Sequence, residues 1–280
     1  MQFVEIGGGL GDIINQCYLT GDYVALEGVT ERTIILLACP HRFAREMFTQ
    51  HPKHDLFEIL EGRYVGYPVF PDGVDLEETR QRLPTEGHTP LPTPPAPRPE
   101  DVVFYPNATD QQLLGHLPTR FIALQPFSGT SNRDLPAEIV RAIDDYAAQT
   151  GIPLVVVGRN YDRPGKHTRE ELASPHVAIN YIDKLSVPGS IELVKRSSLC
   201  IGGHSAMTYA AWHNRVPNYV LFPREHGDIY FRPGELHQWS FGRDYPETRI
   251  DFHSDFSLDK LDQLLTLPAQ ESHVGTPCSG

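Results

Sequence analysis

The sequence predicts an α/β fold made of two halves, each a parallel sheet covered by helices. Three observations predict it. Short apolar runs alternate with helical patterns between Phe121 and Phe222, as strands joined by crossover helices do. Glycines or small polar residues fill three strand-to-helix turns, at residues 7–11, 128–133 and 202–205. A proline-rich stretch from Leu83 to Glu100 separates a short first part from a longer second part. With 280 residues, 40% of them hydrophobic, the chain can build one large or two small cores.

In the first part, Gln2–Ile6 reads as a buried strand that ends in three glycines, with a helix from about Gly11. Thr33–Ala38 is a second buried strand, and His41–Gln50 is expected to be helical. Asp55–Leu60 and Tyr64–Phe70 are expected to be extended. Prolines 84, 90, 92, 94, 95, 97 and 99 bar a helix or a central strand, so 84–100 is expected to be a linker or long loop. Domain expectations are therefore 1–83, the linker 84–100, 101–267, and a tail at 268–280.

In the second part, Phe121–Gln125 is a strand. Leu135–Gln149 is a helix with apolar positions Ile139, Ile143, Tyr146 and Ala147, capped by Asp134 and with Pro136 in its first turn. Pro153–Val157, Val177–Ile182, Leu199–Ile201 and Asn218–Phe222 are expected strands. Ile191–Arg196 and His204–His213 are expected helices. Two halves of this kind form a cleft, the usual place for a ligand in doubly wound folds.

Composition excludes several function classes. Lys plus Arg is 24 and Asp plus Glu 36, a net charge of −12, so binding of nucleic acid or anionic membrane by bulk charge is not expected. Cys17, Cys39, Cys200 and Cys278 form no CxxC pair, and the N-terminal residues carry no basic, apolar leader pattern; a reducing, cytoplasmic setting is expected. The longest apolar run, Ile34 to Cys39, is too short to span a bilayer.

Three constellations carry the chemistry. In Gly7-Gly8-Gly9-Leu10-Gly11-Asp12 the glycines permit close backbone approach, and the helix start offers N–H groups to an anion. The same residues also read as a tight turn with Asp12 as helix N-cap. The run fails the GxGxxG pattern, so no nicotinamide or flavin cofactor is expected. Ser128-Gly129-Thr130-Ser131-Asn132-Arg133 pairs hydroxyls with one guanidinium, a set suited to phosphate oxygens. Gly202-Gly203-His204-Ser205-Ala206-Met207-Thr208 repeats the strand, small-residue, helix order. Ser205 lacks the GxSxG context of a hydrolase nucleophile. The cluster Glu225-His226-Gly227-Asp228 has no metal-ligand spacing, and no metal is expected.

In this order the segments resemble the GT-B glycosyltransferases related to bacterial ADP-heptose lipopolysaccharide heptosyltransferases. The resemblance rests on Leu10-Gly11-Asp12-Ile13-Ile14; on Ile122-Ala123-Leu124-Gln125-Pro126 through Ser128 and Arg133 to Pro136-Ala137-Glu138; on Lys184-Leu185-Ser186; on Gly203 through Ala211; and on Pro217 with Tyr219–Pro223. It covers residues 1–20 and about 120–225. Gly203 stands where the family usually has Asp, and Thr208 where it usually has His.

The resemblance implies two Rossmann-like halves, GT-B-like, with a small N-terminal half. A nucleotide sugar would bind the second half as co-substrate, with no further cofactor. The acceptor, a glycan, lipid-linked sugar or protein, would meet the first half along Gly8, Gly9 and Gly11. Asp12 would be the general base. Ser128, Gly129, Thr130, Ser131, Arg133, Lys184, Gly202, Gly203, His204, Ser205, Met207 and Thr208 would line the donor site. Arg133, Lys184 and the helix start near His204 would stabilise the leaving diphosphate. Arg42 and Arg45 could meet an anionic acceptor or form a solvated helix face. A nucleotide-sugar epimerase, a non-catalytic nucleotide-sugar-binding protein and a DNA-base transferase are the rival readings.

Overall fold

The apolar run Thr33–Ala38 is buried at every position, as a strand covered on both faces must be. It forms β2 in a computed structural model that describes residues 1–39, 42–62, 73–95, 97–128, 133–159, 176–224 and 247–267. Its sheet comprises β1 (Gln2–Gly7), β2, β3 (Phe57–Glu61) and β4 (Thr89–Pro90), in the order β3-β2-β1-β4 and parallel throughout. Around it lie α1 (Leu10–Leu19), α2 (Asp22–Ala25), α3 (Glu46–Thr49) and α4 (Leu76–Thr85).

Three expectations change here. The helix expected over 41–50 is a 3-10 turn, Arg42–Arg45, followed by the short α3. The extended segment from Asp55 begins as a 3-10 turn, His54–Leu56, and becomes a strand only at Phe57. The proline-rich stretch begins inside a helix, since Pro84 lies in the last turn of α4, and it also supplies β4. Pro90 fits because it is at the sheet margin. Thr89 and Leu91 donate their N–H groups to Met1 and Phe3, at 3.2 and 2.7 Å, and the proline between them is not asked to donate. The segment Tyr64–Phe70 lies outside the described residues.

The second half contains α5 (Ala108–Leu114), β5 (Ile122–Gln125), α6 (Ala137–Thr150), β6 (Leu154–Val156), β7 (Val177–Asn180), α7 (Val187–Arg196) and β8 (Leu199–Gly203). It continues with α8 (Ala206–His213), β9 (Asn218–Phe222), β10 (Thr248–Phe252) and α9 (Leu258–Leu265). Its six strands are parallel in the order β10-β9-β8-β5-β6-β7. In α6 the stripe Ile139, Ile143, Tyr146 and Ala147 is buried, and Gly151 in the left-handed region (φ 69) ends the helix. Asp134 does not cap it. Its carboxylate instead accepts the Ser128 N–H at 2.7 Å.

One hydrophobic cluster runs through both halves. It includes Ile13, Ile14 and Tyr18 of α1, Ala123 of β5, Cys200 of β8, and Tyr209 and Trp212 of α8. Helix α1 packs on α8: His213 Nε2 meets Asn15 Oδ1 at 2.8 Å, Asn214 donates to the Tyr18 hydroxyl at 2.7 Å, and Tyr18 stacks on His213. A second bridge lies at α3. Glu46 accepts two N–H contacts from Arg159, at 2.9 and 2.8 Å, and the Val187 N–H at 2.8 Å. Among the described residues no helix is long and apolar enough to cross a membrane.

Candidate functional site: two switch points facing one interface

Strand order fixes where a ligand can sit. From β5 the second half runs outward through β6 and β7, then returns to the other side of β5 as β8, β9 and β10. The chain leads from β5 toward β6 and from β8 toward β9, a reversal at whose carboxyl strand ends such folds carry their ligand crevice. The first half does the same on a smaller scale, with β2 and β3 on one side of β1 and β4 on the other. Its crevice opens beside the glycine turn after β1.

At the larger crevice, β5 ends in Gln125, a polar residue closing an apolar strand. Its amide oxygen takes the hydroxyl of Ser205, the N-cap of α8. Arg133 crosses the crevice: its Nη1 lies 3.5 Å from His204 Nδ1 and 3.4 Å from the His204 carbonyl. A guanidinium only donates, so Nδ1 accepts and the imidazole proton sits on Nε2, which donates to the Tyr209 hydroxyl at 2.9 Å. Burial, with the Arg133 charge beside it, pulls the His204 pKa down to about 3. His204 therefore stays neutral, and Arg133 is the cation of this pair. Its guanidinium lies beside the N-terminus of α8, whose first N–H groups have no partner within the helix.

Gly203 has a direct physical explanation. A Cβ there would stand 2.3 Å from the Arg133 carbonyl oxygen, so no side chain fits while that carbonyl stays in place. The same contact leaves no room for the Asp that the resemblance would place here. Gly202 is held nearly as closely, with its Cβ position 3.0 Å from the Gln125 carbonyl.

At the smaller crevice Gly8 has φ 119, and a Cβ on it would stand 2.6 Å from the Asp12 Cβ. The turn thus requires glycine both for its dihedral and for room. Gly9 is the N-cap of α1. Asp12 is the third helical residue, not the cap; its Oδ2 accepts the Gly9 N–H at 2.8 Å, while the side chain is exposed. Gly11 is covered by the Tyr209 ring, with its Cβ position 3.0 Å from Tyr209 Cδ2. The two crevices therefore meet across the contact of α1 with α8.

The other expected site residues are placed as follows. Met207 and Thr208 are buried, Met207 within the core and Thr208 with its hydroxyl turned back to Ser205 N and to the Gly203 and Ser205 carbonyls. The Thr208 methyl carbon lies 3.4 Å from the Gly202 Cβ position, next to Gln125. Ser128 is buried too, and its N–H is taken by Asp134. Lys184 follows β7, with β5 and β6 between it and β8, and its ammonium donates to the Asn180 carbonyl at 2.7 Å. The structure does not bring it to Arg133. Arg45 pairs with Glu61 at 3.3 Å. Gly129, Thr130 and Ser131, and the cluster at 225–228, lie outside the described residues, as does the Arg42 side chain.

The sequence reading missed Gln125, Tyr209, Glu46 and Arg159. Of these, only Gln125 carried a signal, a polar residue at the end of a buried strand. It also found no metal-ligand set, whereas Asp144, Asp145 and His176 bring ligand atoms within 4.8 Å of one another. His176 immediately precedes β7, at the sheet edge opposite the crevice, so this set is separate from the site.

Solved structures share this architecture. E. coli ADP-heptose lps heptosyltransferase II superposes with a TM-score of 0.55, at 13% identity, over 95% of this chain and 98% of its own. A family 9 glycosyl transferase from Veillonella parvula gives 0.57 at 11% identity, over 94% and 90%. E. coli heptosyltransferase WaaC with ADP gives 0.52 at 11% identity, over 95% and 99%. No family model and no curated protein matches the chain significantly. At these identities the likeness is one of fold, and the fold is heptosyltransferase-like, of the GT-B type.

Proposed function

We propose that the protein is a glycosyltransferase that moves a sugar from a nucleotide-sugar donor to an acceptor hydroxyl without a metal ion. The observation that carries the reading is the convergence of two switch points on one interface. One is cationic, with Arg133 beside the start of α8; the other is anionic, with Asp12 exposed at the start of α1. In this reading the donor diphosphate lies between the Arg133 guanidinium and the α8 N-terminus. The acceptor oxygen attacks the anomeric carbon, the bond from that carbon to the diphosphate oxygen breaks, and Asp12 takes the acceptor proton. The leaving diphosphate gains negative charge as this bond breaks, and a fixed guanidinium and helix-end N–H groups answer that charge without rearranging. Lys184, placed by the resemblance in the same role, would have to leave Asn180 to join them. The expected site is cytoplasmic, in keeping with the buried thiols Cys17, Cys39 and Cys200.

Product analysis tests the proposal. The donor in a panel of nucleotide sugars that most raises the melting temperature is incubated with and without neutral glycan, lipid-linked sugar and peptide acceptors. Acceptor-dependent release of nucleoside diphosphate, undiminished by excess chelator, is expected. Isomerised nucleotide sugar without an acceptor would indicate an epimerase, and binding without turnover a non-catalytic protein. Activity lost to chelator and restored by manganese or magnesium would contradict the metal-free mechanism.

A further inference from the structure

We propose that Tyr209 is a positioning residue that ties the Arg133 guanidinium to the Asp12 turn, so that each half sets the geometry of the other; this rests on the donor-site reading above. The polar end of Tyr209 faces one crevice and its ring covers the other. Its hydroxyl accepts the His204 Nε2–H at 2.9 Å, and His204 in turn accepts from Arg133 through Nδ1 and offers its carbonyl to the same Nη1. The proton order along this chain is fixed from the arginine end, because a guanidinium has no acceptor. His204 is further confined by Phe222, whose ring centroid is 4.9 Å from its own.

The ring of Tyr209 makes the contact with the other half. It lies against Gly11 so closely that a Cβ there would stand 3.0 and 3.1 Å from two of its carbons. Gly11 immediately precedes Asp12 in the first turn of α1. One rigid side chain therefore touches the turn that presents the carboxylate and, through one imidazole, the arginine on the other half. Packing of α1 on α8 does not itself require this arrangement. Asn15 with His213 and Tyr18 with Asn214 already join the later turns of these helices by hydrogen bonds.

Two substitutions from opposite halves test the tie. Tyr209→Phe keeps the ring on Gly11 and removes the acceptor for His204. Gly11→Ala keeps the hydroxyl and displaces the ring. The probes are ADP, GDP, UDP and CDP with their parent nucleosides. For the diphosphate that binds the wild type best, each variant should lose about fivefold to tenfold in affinity, the scale of one hydrogen bond, while the nucleoside stays within about twofold. A ligand-free readout runs beside it. Imidazole ¹⁵N–¹H spectra, with His204 assigned by His204→Gln, should show a neutral Nε2–H ring at pH 7, and Gly11→Ala should shift it although Gly11 lies in the other half. A His204 ring protonated on Nδ1, or one indifferent to both substitutions, would overturn the tie, as would equal losses for diphosphate and nucleoside. If no diphosphate binds the wild type, the donor-site reading fails, and the imidazole spectra alone decide whether Tyr209 links the two turns.

Discussion

Asp12 is asked to do two things, and they separate by substitution. As the third residue of α1 its carboxylate accepts the Gly9 N–H, and as an exposed acid it can take a proton from an acceptor hydroxyl. Asp12→Asn retains a carbonyl oxygen for Gly9 and loses the basicity. Transfer should fall by about 100-fold or more with little change in donor affinity, since a positioned base typically contributes about 10²–10⁴-fold. Asp12→Ala should lose the same activity and also destabilise the fold by about 1 kcal/mol, the size of a lost cap. Transfer by the Asn variant within a few-fold of wild type, with chemistry limiting, would remove Asp12 from the mechanism. The motif around Asp12 was legible from its glycines, but its place in the helix was not. Three glycines leave the first helical residue open, and only the observed start at Leu10 makes Asp12 the third residue and Gly9 the cap.

At the scale of the element, the Arg133 backbone and the end of β8 are fitted to each other through Gly203. Gly203→Ala drives a Cβ into the Arg133 carbonyl, so that backbone must move. The expected outcome is a loss of about 1–3 kcal/mol in denaturant unfolding, the usual range for overpacking, together with weakened diphosphate binding. Gly28→Ala, where a Cβ meets nothing within 4 Å, is the control and should stay within about 0.5 kcal/mol. Equal stability of the two variants would show that the Arg133 backbone gives way freely. Strands were the legible elements. Thr33–Ala38 and Asn218–Phe222 agree with the sequence reading to the residue, because strands buried on both faces are continuous apolar runs. By contrast β10, which alternates charged and apolar residues at the sheet margin, gave no such run, and neither it nor α9 was expected. Every residue of α8 is buried, between its sheet and α1, and the Thr208 hydroxyl bonds the Gly203 and Ser205 carbonyls.

Across the whole molecule, the two halves are distinct in topology and continuous in packing. The cluster through α1 and α8 belongs to both, and Glu46 joins α3 to Arg159 and the start of α7. Thermal unfolding followed by far-ultraviolet and aromatic circular dichroism should therefore show one coincident transition. A fragment spanning 101–267 would expose Tyr209 and the face of α8 that α1 covers, and should not reach the same cooperativity. Two separated transitions in the intact chain would contradict a shared core. Strand order, a property of the whole sheet, also explains why Lys184 and Arg133 could not be ranked from sequence. Both precede helices, but β7 lies at the outer margin and β5 at the reversal.

The central claim is that the reversal between β5 and β8 holds a diphosphate through Arg133. Calorimetric titration of wild type and Arg133→Gln with the preferred nucleoside diphosphate and with its nucleoside tests it most directly. Removing a charge-assisted contact should weaken the diphosphate by about tenfold or more and leave the nucleoside nearly unchanged. Equal losses for both ligands, or no loss for either, would contradict the account.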